Sequence, residues 1–239
     1  MNDLAKEIID AHGGLDRWRG FETLTAHLLQ GGALWAMKGQ AGVLDDTNVT
    51  VDLRREHASH APFDDADRKS SFSPDRVELQ SREGELLDAL PSPRASFHGH
   101  TLETPWNELQ LAYFAGCAMW TYLNMPFLLA NPGVESSEVA PWDEQGETWR
   151  RLRIRFPAEI ATHSAEQTLY VDAQGLLKRH DYDVEIAGNT PGAHYVSDYV
   201  EVQGIKVPTR RRIYPRQPDG QPVTDLLVVS IDLDNIVLK

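Results

Sequence analysis

The 239-residue chain is predicted to be α+β and mainly β: a curved, incomplete antiparallel β-barrel, with an N-terminal helix and a central apolar helix packed on its concave side, forming a single domain over residues 1–239. Three observations predict this. After Trp142, strand-like runs with alternating faces follow one another at short intervals, the pattern of sandwiches and barrels. The segment from Pro105 to Asn124 is apolar nearly all round, so it must be buried on most sides. A short amphipathic segment at the start ends in Gly13-Gly14, a common helix stop.

In chain order, "DLAKEIIDA" at 3–11 places Leu4, Ile8 and Ala11 on one helical face, and Leu15–Trp18 suits a second short turn. From Phe21 the pattern is extended: Leu24, Ala26 and Leu28 alternate with Thr23, Thr25 and His27, and Val49, Val51 and Leu53 repeat the theme. "GGALWAMKGQAG" at 31–42 lacks the spacing of a dinucleotide fingerprint and is expected to be a hairpin or loop. The polar stretch "HAPFDDADRKSSFS" at 60–73 is expected to be a mobile loop or turn. Thr104-Pro105 supplies a capping hydroxyl and a ring suited to the first helical position, and Pro126 sets the stop. Gln110, Thr121, Asn124 and Pro126 interrupt the apolar run, which argues against a membrane span.

The late meander has strands at 152–156, 167–172, 176–186, 194–202, 205–214 and 226–238, with turns at "DAQG", "AGNTPG", "VQG" and "PRQPDGQP". Leu152, Ile154 and Phe156 oppose Arg151, Arg153 and Arg155, giving one buried and one solvated face. By the same parity His180 and Tyr182 face inward opposite Arg179 and Asp181; His194, Val196, Asp198 and Val200 share the inward face of the next strand, and Val207, Thr209 and Arg211 that of the following one. His180, Tyr182, His194, Asp198, Thr209 and Arg211 should therefore converge at one polar end of the interior. Buried charge requires pairing, bound water or a ligand. Either an Asp198–Arg211 ion pair capped by histidines serves as scaffold, or the group forms a pocket whose apolar body is completed by Trp106, Tyr113 and Trp120 of the central helix.

Composition excludes some partners. With 36 acidic against 23 basic residues and a net charge of −13, a general nucleic-acid or anionic-membrane surface is disfavoured. "MNDLAKEIIDAHGG" lacks the basic, apolar and small-residue succession of a secretion signal, and Cys117 is the lone cysteine, so a cytoplasmic location is expected. Cys117 lies in an apolar helix, a poor setting for a thiolate nucleophile. No nucleophile elbow, phosphate loop, paired-cysteine or zincin motif occurs. His98, His100 and Glu103 are similar to one half of a cupin metal set but lack its flanking glycine and second motif; no cofactor is expected.

"AHGGLDRW" after the first helix and the hairpin "LYVDAQGLLKRHDY" resemble the corresponding parts of the LolA/LolB superfamily of lipoprotein carriers. The resemblance implies a half-barrel closed by helices over an apolar cavity, and an acyl-like ligand. The chain departs from those carriers in having no lipid-attachment cysteine near its start and a more polar interior at His180, His194 and Arg211. The leading expectation is a binding protein for a hydrophobic or amphipathic small molecule, its anionic or carbonyl head against Arg211, His180 and His194. The alternative is an isomerase, cyclase or hydrolase using His180, His194 and Asp198 for acid/base chemistry, because a carboxylate-held histidine titrates near neutral pH; a third reading is a metal-dependent version of it using His98 and His100 or the meander histidines. The sequence leaves the oligomeric state open.

Overall fold

A computed structural model describes all 239 residues. The first half of the chain holds α1 (Asp3–Ala11), α2 (Leu15–Trp18), β1 (Thr23–Gly31), α3 (Ala33–Met37), β2 (Asp46–Asp52), β3 (Ala58–Ala61), β4 (Arg68–Ser73), β5 (Arg76–Ser81) and β6 (Leu86–Pro91). The long helix α4 (Glu108–Asn124) follows, then β7 (Glu135–Glu144), β8 (Glu147–Arg155), β9 (Glu166–Val171), β10 (Leu177–Val184), β11 (Thr190–Val202), β12 (Ile205–Pro215) and β13 (Val229–Leu238). All 13 strands form one open antiparallel sheet in the order β6-β5-β4-β3-β2-β1-β13-β12-β11-β10-β9-β8-β7. Its centre is the pairing of the first and last strands, Leu24 opposite Leu238. Its edges, β6 and β7, are joined through α4, so the chain must cross the face of the sheet and carries its most apolar segment over the core.

Every residue of α4 from Leu109 to Asn124 is buried, which explains why the helix shows no polar face. It packs chiefly on β2 to β5. Gly116 permits the contact: a Cβ there would lie 2.3 Å from the Phe72 Cβ of β4, closer than any packing allows. A glycine inside a helix costs about 1 kcal/mol relative to alanine, so its place here follows from the close approach.

Four local expectations are corrected. The helix starts at Glu108, later than Thr104-Pro105 suggested, because Asn107 and Gln110 cap each other: the Asn107 side chain accepts from the Gln110 amide at 2.9 Å, and Gln110 Oε1 accepts from the Asn107 amide at 3.1 Å. Residues 60–73 hold the end of β3 and all of β4; inward positions there are taken by His60, Ser70 and Phe72, with Ser70 Oγ accepting from the His60 amide at 3.0 Å, so the apolar alternation is hidden. Residues 33–37 form α3, with Leu34 and Trp35 buried. The second half of the sheet begins at Glu135, ahead of Trp142, with an edge strand that buries neither face.

The opposite face of β10 is a further correction. Arg179 and Asp181, assigned to a solvated face, are 0% and 4% exposed. The Arg179 guanidinium reaches Asp181 Oδ1 at 2.6 Å and Glu144 Oε2 at 3.0 Å and lies 4.8 Å above the Tyr170 ring. Strand β7, with Trp142 5.7 Å from that guanidinium, and the Gly220 carbonyl cover it. The charges are buried as a satisfied network, the condition under which burial is tolerated.

Candidate functional site

A cavity of about 110 Å³ lies between α4, α3, the segment around Leu102–Trp106 and the inner faces of β10 to β13. Most of its wall is apolar: 20 of 26 lining residues are hydrophobic, among them Trp35, Trp106, Phe114 and Met119. Met37 and Leu226 also line it while being 39% and 44% exposed, so they mark its mouth.

Polar groups gather at one inner end. Tyr122, His163 and Tyr182 line the cavity there. Tyr122 reaches the bottom from the last turn of α4, His163 from the loop before β9, and Tyr182 from β10. The Tyr122 hydroxyl lies 3.0 Å from His163 Nε2 and makes a short hydrogen bond with the Tyr182 hydroxyl. Behind this pair stand His180, His194 and Arg211, with the His194 ring centred 4.4 Å from that of Tyr122 and 6.0 Å from that of His180. His180 Nε2 is bonded to Gln167.

Burial sets the charge state of this group. It holds His163 and His180 down at about 3, and His194 well below its ordinary value with the Arg211 charge adding to the effect. Burial also raises the Tyr122 and Tyr182 hydroxyls above their ordinary range. All five are neutral at physiological pH. Arg211, lowered by burial only to about 10, is the one full charge among them. Its Nη1 lies 3.4 Å from His194 Nε2, its Nη2 donates to the Tyr122 carbonyl at 3.2 Å, and its Nε has no partner.

The sequence-predicted residues divide. His180, Tyr182, His194 and Arg211 come together, and Trp106 lines the cavity. Asp198 does not join them: its backbone is left-handed at φ 56°, and its half-exposed carboxylate pairs with Arg210 at 2.8 Å. Ladder pairing to β12 lapses at that residue, which is why strict alternation failed; Val200 beyond it is 41% exposed. Thr209 donates instead to the Asp198 carbonyl. Trp120 donates its indole N–H to the Asp52 and Arg55 carbonyls at 2.9 and 3.0 Å, away from the cavity. Tyr113 packs on Phe72 and Phe97 and meets Arg94. No carboxylate therefore stands beside the histidines, and the acid/base alternative loses the group that was to hold a histidine near neutral pH.

Sequence reasoning missed Tyr122 and His163. A hydroxyl in an otherwise apolar helix needs a buried partner, which could have marked Tyr122; nothing in the loop "ATHSAE" marks His163. Lys38 was also missed. It is fully buried, donates to the carbonyls of Thr101, Leu102 and Thr104 at 3.3, 2.5 and 3.1 Å, and lies 4.5 Å over the Trp106 ring. It thereby fixes α3 to the segment that walls the cavity. His98 is exposed and Glu103 is bonded to Thr101; no group of three His, Cys, Asp or Glu side chains is placed to hold a metal ion. Cys117 is buried with its thiol held above the ordinary range by desolvation. No helix is long and apolar enough to cross a membrane.

No protein-family model matches the chain. No curated protein matches it either. Solved structures do match over nearly the whole length. A DUF1329 family protein from Desulfovibrio piger aligns with a TM-score of 0.56 at 12% identity, covering 100% of this chain and 94% of its own. A LolA superfamily protein from Nitrosomonas europaea gives 0.54 at 10% identity, covering 98% and 93%. A domain named for outer membrane lipoprotein sorting, from Vibrio parahaemolyticus, gives 0.54 at 9% identity, covering 99% and 91%. The fold is LolA-like, as the early "AHGGLDRW" and the β9–β10 hairpin suggested.

Proposed function

We propose that this protein binds a hydrophobic or amphipathic small molecule in the cavity between α4 and the sheet. The observation that carries the proposal is the cavity's polarity: largely apolar walls, a solvent-facing mouth at Met37 and Leu226, and a hydrogen-bonded polar group, Tyr122, His163 and Tyr182, at the inner end. A site of this kind holds an apolar body by burial and fixes its orientation with a few polar contacts. The volume limits what is enclosed, since about 150 Å³ holds a benzene-sized molecule and this cavity measures about 110 Å³. A longer chain would leave its tail in the mouth or push α3 outward. The fold supports the proposal, because one of its neighbours is named for lipoprotein sorting.

Trp35 and Trp106 line the cavity and serve as reporters. Titration with a polyene fatty acid is expected to quench tryptophan fluorescence saturably by energy transfer. Absence of saturable binding over a series of chain lengths and head groups would remove the proposal.

A further inference from the structure

Two buried arginines of the same sheet contrast. Arg179 on β10 has its charge matched by Asp181 and Glu144. Arg211 on β12, 3% exposed, has no carboxylate within ion-pair distance. It has the Tyr122 carbonyl, the His194 ring nitrogen at a long 3.4 Å, the face of the Tyr122 ring 5.3 Å away, and an Nε with nothing. His194 Nδ1, beside it, is also without a partner. A guanidinium removed from water without an anion is strongly unfavourable. In a chain with 36 acidic residues, the missing anion stands out against carboxylates on most other arginines.

We infer that the missing anion belongs to the ligand: the cavity takes a monocarboxylate whose apolar chain fills the Trp106 side and whose head enters between Tyr122 and Tyr182 to face Arg211. The inference rests on the cavity being a binding site and adds the class of its ligand. Tyr122 and Tyr182 line the cavity and are joined by the bond between their hydroxyls, and the Arg211 guanidinium lies against the Tyr122 carbonyl and ring. A carboxylate can replace that bond by accepting from both hydroxyls, and charge-assisted bonds of this type are the stronger ones. The charge count favours a single negative charge. Arg211 is the only uncompensated cation at this end, since Arg94, whose charge reaches His163, is already paired with Glu185. A dianionic phosphate head would leave one charge unmatched.

The test compares octanoate, octanol and octyl phosphate, which share one chain, by calorimetry on the wild-type protein and on Arg211→Gln. Octanoate is expected to bind wild type roughly ten- to hundredfold tighter than octanol, with octyl phosphate weaker than octanoate. Arg211→Gln should bring octanoate to the level of octanol while octanol binding is unchanged, which also certifies that the variant is folded. Should that variant not fold, Arg211→Met replaces it with the same expectation, and the wild-type comparison stands without either. Equal binding of octanoate and octanol, tighter binding of octyl phosphate, or an Arg211→Gln protein that keeps the preference would overturn the carboxylate assignment and leave the cavity proposal standing. Failure of all three to bind would overturn both.

Discussion

Asp198 and Arg211, placed on one inward face by strict alternation, do not meet: Asp198 pairs with Arg210 at 2.8 Å, and Arg211 is left buried among neutral groups. Two opposite stability effects follow. Arg211→Met removes an unmatched buried charge and is expected to stabilise the ligand-free protein by about 1–4 kcal/mol, the range found when packed apolar side chains replace buried ion pairs. Asp198→Asn breaks a pair that is about half exposed on both sides and is expected to cost less than about 1 kcal/mol. Chemical denaturation of both variants checks the pair of signs; strong destabilisation by Arg211→Met would mean that the guanidinium has a structural partner.

Buried histidines and the partly buried Glu56 carboxyl give the stability curve two arms. His12 and His60 are lowered by burial to about 4, His163 and His180 to about 3, and His194 well below its usual value. Each binds fewer protons folded than unfolded, so its contribution is complete above the unfolded value of about 6.5 and is lost as pH falls, by about 1.4 kcal/mol per histidine per pH unit. Glu56 runs the other way. Its carboxyl is raised by burial to about 8, so its contribution is complete below the unfolded value of about 4.3 and lost as pH rises through 8. Melting temperature is expected to climb to about pH 6.5 and then decline toward pH 8. Glu56→Gln should flatten the alkaline arm and leave the acid arm in place.

Lys38 should control access to the cavity. Lys38→Met keeps much of the chain length over Trp106 but removes the donors that hold the carbonyls of Thr101, Leu102 and Thr104. The expected cost is about 1–3 kcal/mol. Hydrogen exchange should accelerate at residues 101–106 and at α3, and ligand association should become faster. Unchanged exchange there would show that the segment is held by other contacts.

Gly116→Ala tests the helix-to-sheet contact. Helix propensity alone favours alanine by about 1 kcal/mol, whereas a methyl group directed at the Phe72 Cβ from 2.3 Å forces the helix outward. Overpacking of this kind typically costs about 1–3 kcal/mol, so net destabilisation in urea denaturation is expected. A stabilised variant would contradict the close approach.

Much of the fold was legible because it is written in periodicity. The late strands follow from alternation at Leu152–Phe156 and Ile205–Ile213, and the covering helix from an apolar run without a polar face. What escaped has physical reasons. Strand β4 buries Ser70 beside Phe72, so its inner face is not apolar in composition. Strand β7 is an edge strand with no fully buried residue. Arg179 and Asp181 are buried by a distant segment that no local pattern announces. At the site, parity found His180, Tyr182, His194 and Arg211, and it failed at Asp198, where a positive φ turns the side chain out. Tyr122 and His163 arrive from a helix end and a loop, which strand parity cannot place.

The cavity is expected to hold an amphiphile with its head at Tyr122 and Tyr182. The most direct measurement is a crystal structure of the protein soaked with octanoate carrying bromine on its terminal carbon. An anomalous bromine peak is expected in the apolar half of the cavity or at its mouth near Met37 and Leu226, with the carboxylate between the two tyrosine hydroxyls and facing Arg211. Bromine found only on the outer surface, with the Tyr122–Tyr182 bond intact and the cavity unchanged, would contradict it.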